Sequence, residues 1–317
     1  MFTKLLYGIK WYSRRVVKRV VKISPVIKKY NGKPILMPEE GNRYIYSLVK
    51  KCLEDNCGCF IGRYGSNELD AMVKFEHYRR GGLKSYQTNV MDRLCLNAGF
   101  FPKDVGLMSR YMDEMNEASR IVDIVGVWFN PFEDYILNKY APQAVCCQLT
   151  ALEPYFYEDP WSRILKDKKV LVIHPFAKSI EQQYNTMREE LFRNELVLPE
   201  FELRVLKAVQ TIAGQSDIRF STWFDALEYM EKKALETDFD IAIVGCGAYG
   251  FPLAARLKKA GKIVIHLGGA PQMLFGVKGH RWENIEIFKE IINPHWIYPI
   301  EDERPRGAEK IEGGCYW

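Results

Sequence analysis

The stretch Asp240-Ile-Ala-Ile-Val-Gly245-Cys-Gly247-Ala-Tyr249-Gly250-Phe-Pro252 reads as an apolar strand, a Gly-x-Gly-x-x-Gly turn and a helix starting near Pro252. Its chemistry would be phosphate binding. Glycines let the backbone approach a diphosphate closely, and a helix N-terminus offers N–H donors with a partial positive charge. The same glycines would also serve a turn that is merely tight. Two requirements of a dinucleotide site are missing. The next strand ends in His266 where an acid should hold the ribose, and only about 50 residues follow in which to complete a nicotinamide site. A diphosphate ligand therefore suits the pattern better than NAD.

Directly afterwards come His266, Gly268, Gly269, Gln272, Lys278, Arg281 and Trp282, a run dense in glycine, base and amide. Lys278 and Arg281 could neutralise a departing diphosphate, Gln272 could bond a sugar or base edge, and Trp282 could stack on a ring. An earlier segment, Phe60-Ile-Gly62-Arg63-Tyr64-Gly65-Ser66-Asn67-Glu68-Leu69-Asp70, is again a strand, a glycine turn and a helix start. Arg63 there is a candidate bidentate anion clamp, and Gly65 and Ser66 candidate donor contacts. Glu68 and Asp70 could bind a divalent ion or take a proton from an acceptor hydroxyl. Acids in a first helical turn also simply complement the dipole. His174 closes another apolar run, where open α/β sheets place their ligands, so it reads as a base, a phosphate contact or a satisfied core histidine. Trp223 and Trp282 are candidate acceptor platforms, since an aromatic face stacks on the C–H side of a sugar.

Seven apolar runs would hold these groups: Cys59 to Tyr64, Val122 to Trp128, Ala144 to Leu149, Lys169 to Phe176, Phe201 to Val209, Phe239 to Gly245 and Ile263 to Gly268. Helical stretches such as Ser179 to Phe192, Thr222 to Glu236 and Pro252 to Ala260 lie between them. That alternation predicts an α/β fold with a Rossmann-like, mostly parallel sheet and helices on both faces. Prolines and aromatics at 153–161 mark a place where two halves could meet. The expected organisation is a basic helix over 1–30, an α/β catalytic domain over 31–298 and a tail over 299–317 that acts as a lid or a loose end.

The chain has 317 residues, 47% hydrophobic and 27% charged, the balance of a globular protein rather than a disordered or fibrous one. No apolar run reaches the length of a membrane span and no signal peptide is recognisable, so a cytoplasmic body is expected. The eight cysteines include Cys57-Gly58-Cys59 and Cys146-Cys147 but no zinc-clamping spacing, and read as reduced, mostly buried thiols. Residues 1–30 hold nine Lys or Arg and no acid, and taking nine from a net charge of +5 leaves −4 on the remainder. Leu5, Ile9, Tyr12, Val16, Val20 and Ile23 recur at helical spacing opposite Lys10, Arg14, Lys18 and Lys22, and Pro25 ends the pattern. Such a helix suits the anionic inner face of the cell membrane as a peripheral anchor. A helix packed on its own body is the plainer alternative, and no reader motif points to nucleic acid. Deleting residues 1–24 should abolish binding to anionic vesicles in a flotation assay; unchanged flotation would dismiss the anchor.

Arg63-Tyr64-Gly65-Ser66-Asn67-Glu68-Leu69 resembles the Arg-Phe-Gly-Asp-Gly-Glu-Leu signature of bacterial glycosyltransferases with the GT-D fold. The stretch from Asp240 to Gly269 is similar to that family's later strand, glycine turn, helix and strand. The segment Phe275-Gly-x-Lys-Gly-x-Arg-Trp282 resembles a GT-D-like subgroup found among surface polysaccharide enzymes. The resemblance spans roughly 40–285. It implies transfer of a sugar from a nucleotide-sugar donor, a UDP-sugar by analogy, to a lipid-linked or surface-glycan acceptor. The family's Asp-x-Glu pair implies a divalent metal, Mn²⁺ or Mg²⁺, but the Asp position here is Ser66. Either Glu68 and Asp70 share an ion in altered geometry, or Arg63, Lys278 and Arg281 carry the diphosphate charge without metal, which is the arrangement these residues favour. The rival readings are a nucleotide-dependent oxidoreductase and a noncatalytic nucleotide-sugar-binding or scaffold protein.

Overall fold

The computed structural model describes residues 29–317 apart from 31, 84, 87, 284 and 312. The expected basic helix over 1–30 lies outside the described residues except at its end, where Lys29–Tyr30 form a strand instead. Among the described residues no helix is long and apolar enough to cross a membrane.

The first half of the chain runs β1 (Lys29–Tyr30), β2 (Lys33–Leu36), α1 (Pro38–Glu54), β3 (Cys59–Gly62), α2 (Ser66–Arg79), α3 (Thr88–Ala98), α4 (Met108–Ile121), β4 (Ile124–Val127), α5 (Glu133–Tyr140) and β5 (Val145–Gln148). The second runs β6 (Lys169–His174), α6 (Ala177–Met187), β7 (Glu202–Lys207), α7 (Trp223–Leu235), β8 (Ile241–Val244), α8 (Gly250–Lys259), β9 (Ile263–His266), α9 (Pro271–Leu274), α10 (His280–Glu283) and α11 (Glu286–Lys289). All seven apolar runs contain a strand. The strands form one sheet in the order β1-β2-β5-β4-β3-β9-β8-β6-β7, parallel throughout except for the antiparallel β1–β2 pair at one edge. The sheet continues from one half of the chain to the other through the β3–β9 pairing.

Strand side chains alternate between two separate cores, which is why helices must cover both faces. Phe60, Val125, Leu171, Ile173, Ala242, Val244 and Val264 face one core, closed by α2, α3, α4, α5, α7 and α8. Ile61, Ile124, Val170, Val172, Ile241, Ile243 and Ile265 face the other, closed by α1, α6 and the segment after β9. The edge strand β7 carries Glu202, Arg204 and Lys207 and is only partly buried, which suits an edge that must not pair further. The expected helix over 222–236 starts with a capping box. The Thr222 N–H donates to Asp225 Oδ2 at 2.8 Å, and the Asp225 N–H returns to Thr222 Oγ1 at 3.4 Å.

The register sets the height at which the chain leaves the sheet. Ile61 lies beside Ile265, Val244 beside His266 and Ile173 beside Val244. Arg63, Leu267, Gly245 and His174 therefore emerge together, at the carboxyl ends of four adjacent strands.

Residues 299–317 pack on this same end. The Glu303 carboxylate is buried at the start of α6, where it accepts from the Lys178 N–H at 2.7 Å, the Ser179 N–H at 3.1 Å and the Ser179 hydroxyl at 2.5 Å. An anion there meets the positive end of the helix dipole as well as its orphan donors. Glu303→Ala should cost roughly 1.5–3 kcal/mol in urea unfolding, the range for hydrogen bonds to a charged group. A change under about 0.5 kcal/mol would mean that this carboxylate does not dock the tail.

Candidate functional site

The strand ends open onto a cleft of about 980 Å³, counting its mouth. Its walls include Arg63 after β3, Trp128 after β4, His174 at the end of β6, Gln210 after β7, Gly245 after β8 and His266 closing β9, and Tyr316 and Trp317 from the tail complete them. Ligands bind at this end of open α/β sheets because loops diverge where neighbouring crossovers run in opposite directions. Here β6 connects to β7 on one side while its neighbour β8 connects to β9 on the other.

Arg63 is the central cation. Its Cζ lies 4.4 Å from the Trp128 ring centroid, a cation–π contact. Its other flank rests on Gly268, where a Cβ would come within 2.6 Å of Nε and Nη2. Gly268 also has φ +67°, so both its conformation and its neighbour require glycine. Arg63 Nε is buried and has no hydrogen-bond partner. Burial pushes the guanidinium below its ordinary value; the fields of Tyr316, Glu68 and Glu153 oppose this, and Arg281 adds to it. Arg281 is tied to the tail, its main-chain N–H donating to the Cys315 carbonyl at 2.8 Å and Nη1 to the Tyr316 hydroxyl at 2.7 Å.

Glu68 is the third helical residue of α2, and its carboxylate folds back over Gly65, where a Cβ would lie 1.9 Å from Oε2. It is buried yet lines the cleft beside Ser66. Asp70, two residues on, faces elsewhere and pairs with Arg93 at 2.5 Å. Glu68 is thus the one carboxylate among the described cleft residues, and no group of three His, Cys, Asp or Glu among the described residues could hold a metal ion. Hard divalent cations take several oxygen ligands. One carboxylate in the field of the Arg63 guanidinium does not fit such an ion.

His174 Nδ1 accepts the Phe176 N–H at 3.0 Å, and burial lowers its pKa to about 3. The neutral ring then carries its proton on Nε2, making His174 a hydrogen-bond donor to the cleft and not the base the sequence suggested. His266 is also buried, with both ring nitrogens short of a well-formed hydrogen bond. Burial and the Arg63 charge lower its pKa to about 3, against a weaker pull from the Arg63 main chain. Gln272 donates Nε2 to the Val277 and Tyr316 carbonyls, leaving its buried Oε1 without a partner.

The glycine turn has a packing reason for each glycine. A Cβ at Gly245 would strike the Gly268 carbonyl at 2.5 Å, one at Gly247 the Ala98 carbonyl at 2.7 Å, and one at Gly250 the His266 ring at 2.4 Å. Gly247 also takes φ +57°. Gly245, Gly247 and Tyr249 line the cleft, whereas Gly250 lies behind it. Gly269 lines it too, held against the Tyr316 ring.

Three further candidates fall outside. Trp223 is fully buried, stacked on Tyr249 at 5.2 Å and packed edge-on to Tyr111 and Phe224, so it presents no face to a ligand. Trp282 is buried against Phe288 and Tyr316. Lys278 pairs with Glu283 at 3.3 Å under Tyr298. Among the described residues the aromatic side chains lining the cleft are Tyr249 of the glycine turn, a sequence candidate, and Trp128, Phe176, Tyr316 and Trp317, which were not site candidates in the sequence. The Trp before the loop after β4 and the Tyr-Trp pair ending the sequence were visible as residues, but no local pattern ties them to a cleft.

Fourteen buried side-chain N and O atoms lack a hydrogen bond among the described residues, and seven belong to the cleft residues Arg63, Trp128, Gln210, His266, Gln272 and Trp317. Buried polar groups are normally paired, and leaving one unpaired costs about 1–3 kcal/mol. Half of the unpaired atoms belong to residues lining this cleft, which marks a polar ligand's place, and most are N–H donors.

No family model matches the chain. The curated relatives it matches include the proteins named "Putative cysteine ligase BshC" of Bacillus anthracis, 18% identical over 222 residues and 69% of this chain, and of Bacillus cereus, 18% identical over 234 residues and 73% of this chain. The chain spans about two fifths of the length of these relatives, 41% and 43%. Two solved structures are similar. One, described as a selenomethionine-substituted domain of unknown function 1792, is 14% identical with a TM-score of 0.41 over 76% of this chain and 80% of that one. The other, described as a domain of unknown function 1792 with a distinct glycosyltransferase fold, is 14% identical with a TM-score of 0.40 over 74% and 78%.

The two neutral histidines make stability depend on pH. As pH falls through the unfolded value near 6.5, the unfolded chain takes up protons that the folded protein refuses until about 3. Stability is complete above that window and is lost as pH falls through it, by roughly 2–3 kcal/mol per histidine at pH 4.5. His174→Asn should flatten the curve over pH 4.5–6.5 by about that amount in denaturant titrations. Parallel curves for variant and wild type would refute a buried neutral His174.

Proposed function

We propose that the cleft binds a nucleotide-diphosphate sugar, a UDP-sugar by the resemblance of the Arg63 to Leu69 segment, and transfers its sugar to a glycan or lipid-linked acceptor. The observation that carries this reading is the set of buried, unpartnered N–H donors on residues lining the cleft, Arg63 Nε among them. A diphosphate supplies many acceptor oxygens and the negative charge that guanidiniums bind well. The N-terminus of α2 adds a positive dipole end at the same place.

In this reading the anomeric carbon–oxygen bond breaks and its electron pair stays on the diphosphate, where Arg63 and Arg281 offset the developing charge. The acceptor oxygen bonds to the anomeric carbon, and its proton passes to Glu68. His174 donates through Nε2, and Tyr316 and Trp317 take the stacking role first assigned to Trp223 and Trp282. Charge stabilisation by arginine suits a cleft whose donor set does not fit a divalent ion. The basic arm over 1–24 would hold the enzyme at an anionic membrane surface, beside lipid-linked acceptors.

Glu68→Gln should lower transfer from the best donor in a nucleotide-sugar panel by 10²–10⁴-fold, with nucleotide affinity within a few-fold of wild type. Chelation by EDTA should leave the wild-type rate unchanged. Wild-type turnover in the variant, or transfer that stops with EDTA and returns with Mn²⁺ or Mg²⁺, would contradict the mechanism.

A further inference from the structure

Helix α1 ends in a left-handed cap far from the cleft. The Asp55 N–H closes the last turn on the Lys51 carbonyl, Asn56 takes φ +49°, and the Cys57 N–H returns to the Cys52 carbonyl at 3.0 Å. This is the six-to-one bond of a Schellman motif, in which the residue after the left-handed position folds back over the residue five before it, and their side chains meet. Such pairs are usually apolar. Here both are cysteines.

The local contacts agree with that geometry. The Cys52 thiol is within hydrogen-bonding reach of both Cys57 and Cys59. Cys57 is exposed, while Cys52 and Cys59 are buried. Gly58 pins the loop between them, since a Cβ there would lie 2.8 Å from Gly261 C and 2.9 Å from the Lys258 carbonyl. Cys59 itself belongs to β3 and is paired with Ile263, so its backbone is held by the sheet. The trio therefore has an outward thiol, an inner thiol facing it across the cap, and a third fixed in the strand.

We propose that Cys52 and Cys57 form a reversible dithiol–disulfide site that reacts with low-molecular-weight disulfides. The Cys57 thiolate attacks one sulfur of the external disulfide, forming a mixed disulfide and releasing one small thiolate. Cys52 gives its proton to solvent and attacks Cys57 Sγ, expelling the second small thiolate. Two protein thiols lose two electrons and two protons, and the external disulfide is reduced to two thiols. The cap geometry suits the product, because a disulfide needs Cα atoms about 4.4–6.8 Å apart and this motif folds the two positions together. Burial and the contact with Cys57 raise the Cys52 thiol to about 11, so closure quickens with pH.

The sequence makes the test direct. Trypsin releases residues 52–63 as one peptide holding all three thiols, and a glutamate-specific protease cuts after Glu54, separating Cys52 from the other two. The full-length protein at micromolar concentration is incubated with oxidised glutathione, alkylated, digested with both enzymes and mapped by mass spectrometry. The expected product joins Cys52 to Cys57 with Cys59 alkylated, is reversed by dithiothreitol, forms faster as pH rises from 7.5 to 9, and is absent from Cys57→Ser. The proposal is overturned by a stable glutathione adduct on Cys57 that does not close at pH 9, by a link to Cys59, or by a link between molecules. Wild-type mapping alone decides among these outcomes, whatever the variant's stability.

Discussion

The cleft depends on a partly buried guanidinium held in place by its neighbours. Arg63 is held between the Trp128 ring and the bare Cα of Gly268, with Nε unpaired and its pKa pushed down by burial. Such a group is costly to fold around unless something pairs with it. The sheet imposes the arrangement. Because β3 and β9 are neighbours with Ile61 level with Ile265, the residues after each strand meet side by side, and only glycine at 268 leaves room for the arginine.

That constraint moves the chemical emphasis. The glycines at 245, 247 and 250 looked like a cradle for phosphate, yet each fits against a carbonyl or a ring of the protein itself. Gly245 and Gly250 let β8 and β9 bring their ends together, with His266 and Gly268 packed between the turn and Arg63, while Gly247 admits the end of α3. Backbone closeness here serves side-chain placement. The anion would be met chiefly by guanidinium, indole, amide and imidazole N–H groups, and a neutral His174 adds one more donor.

The sheet was legible because each strand is buried on both faces and writes a short apolar run bounded by turn residues, as Lys169–His174 and Ile241–Val244 do. Arg63, Glu68, His174 and His266 were legible because each sits at or just after such a run. Trp223 misled because an aromatic at a helix start looks the same in sequence whether it faces solvent or, as here, stacks on Tyr249 inside the core. Lys278 misled because Glu283, five residues on, takes its charge. Trp128, Gln210, Tyr316 and Trp317 carried no local signal. They join the cleft through crossovers and through a tail docked by Glu303, which periodicity does not encode.

A crystal structure of the protein with UDP tests the central claim most directly. The diphosphate should lie at the carboxyl ends of β3, β8 and β9, with oxygens within about 3 Å of Arg63 and Arg281 nitrogens. A nucleotide seated elsewhere, or a cleft that stays empty at saturating UDP, would contradict the account.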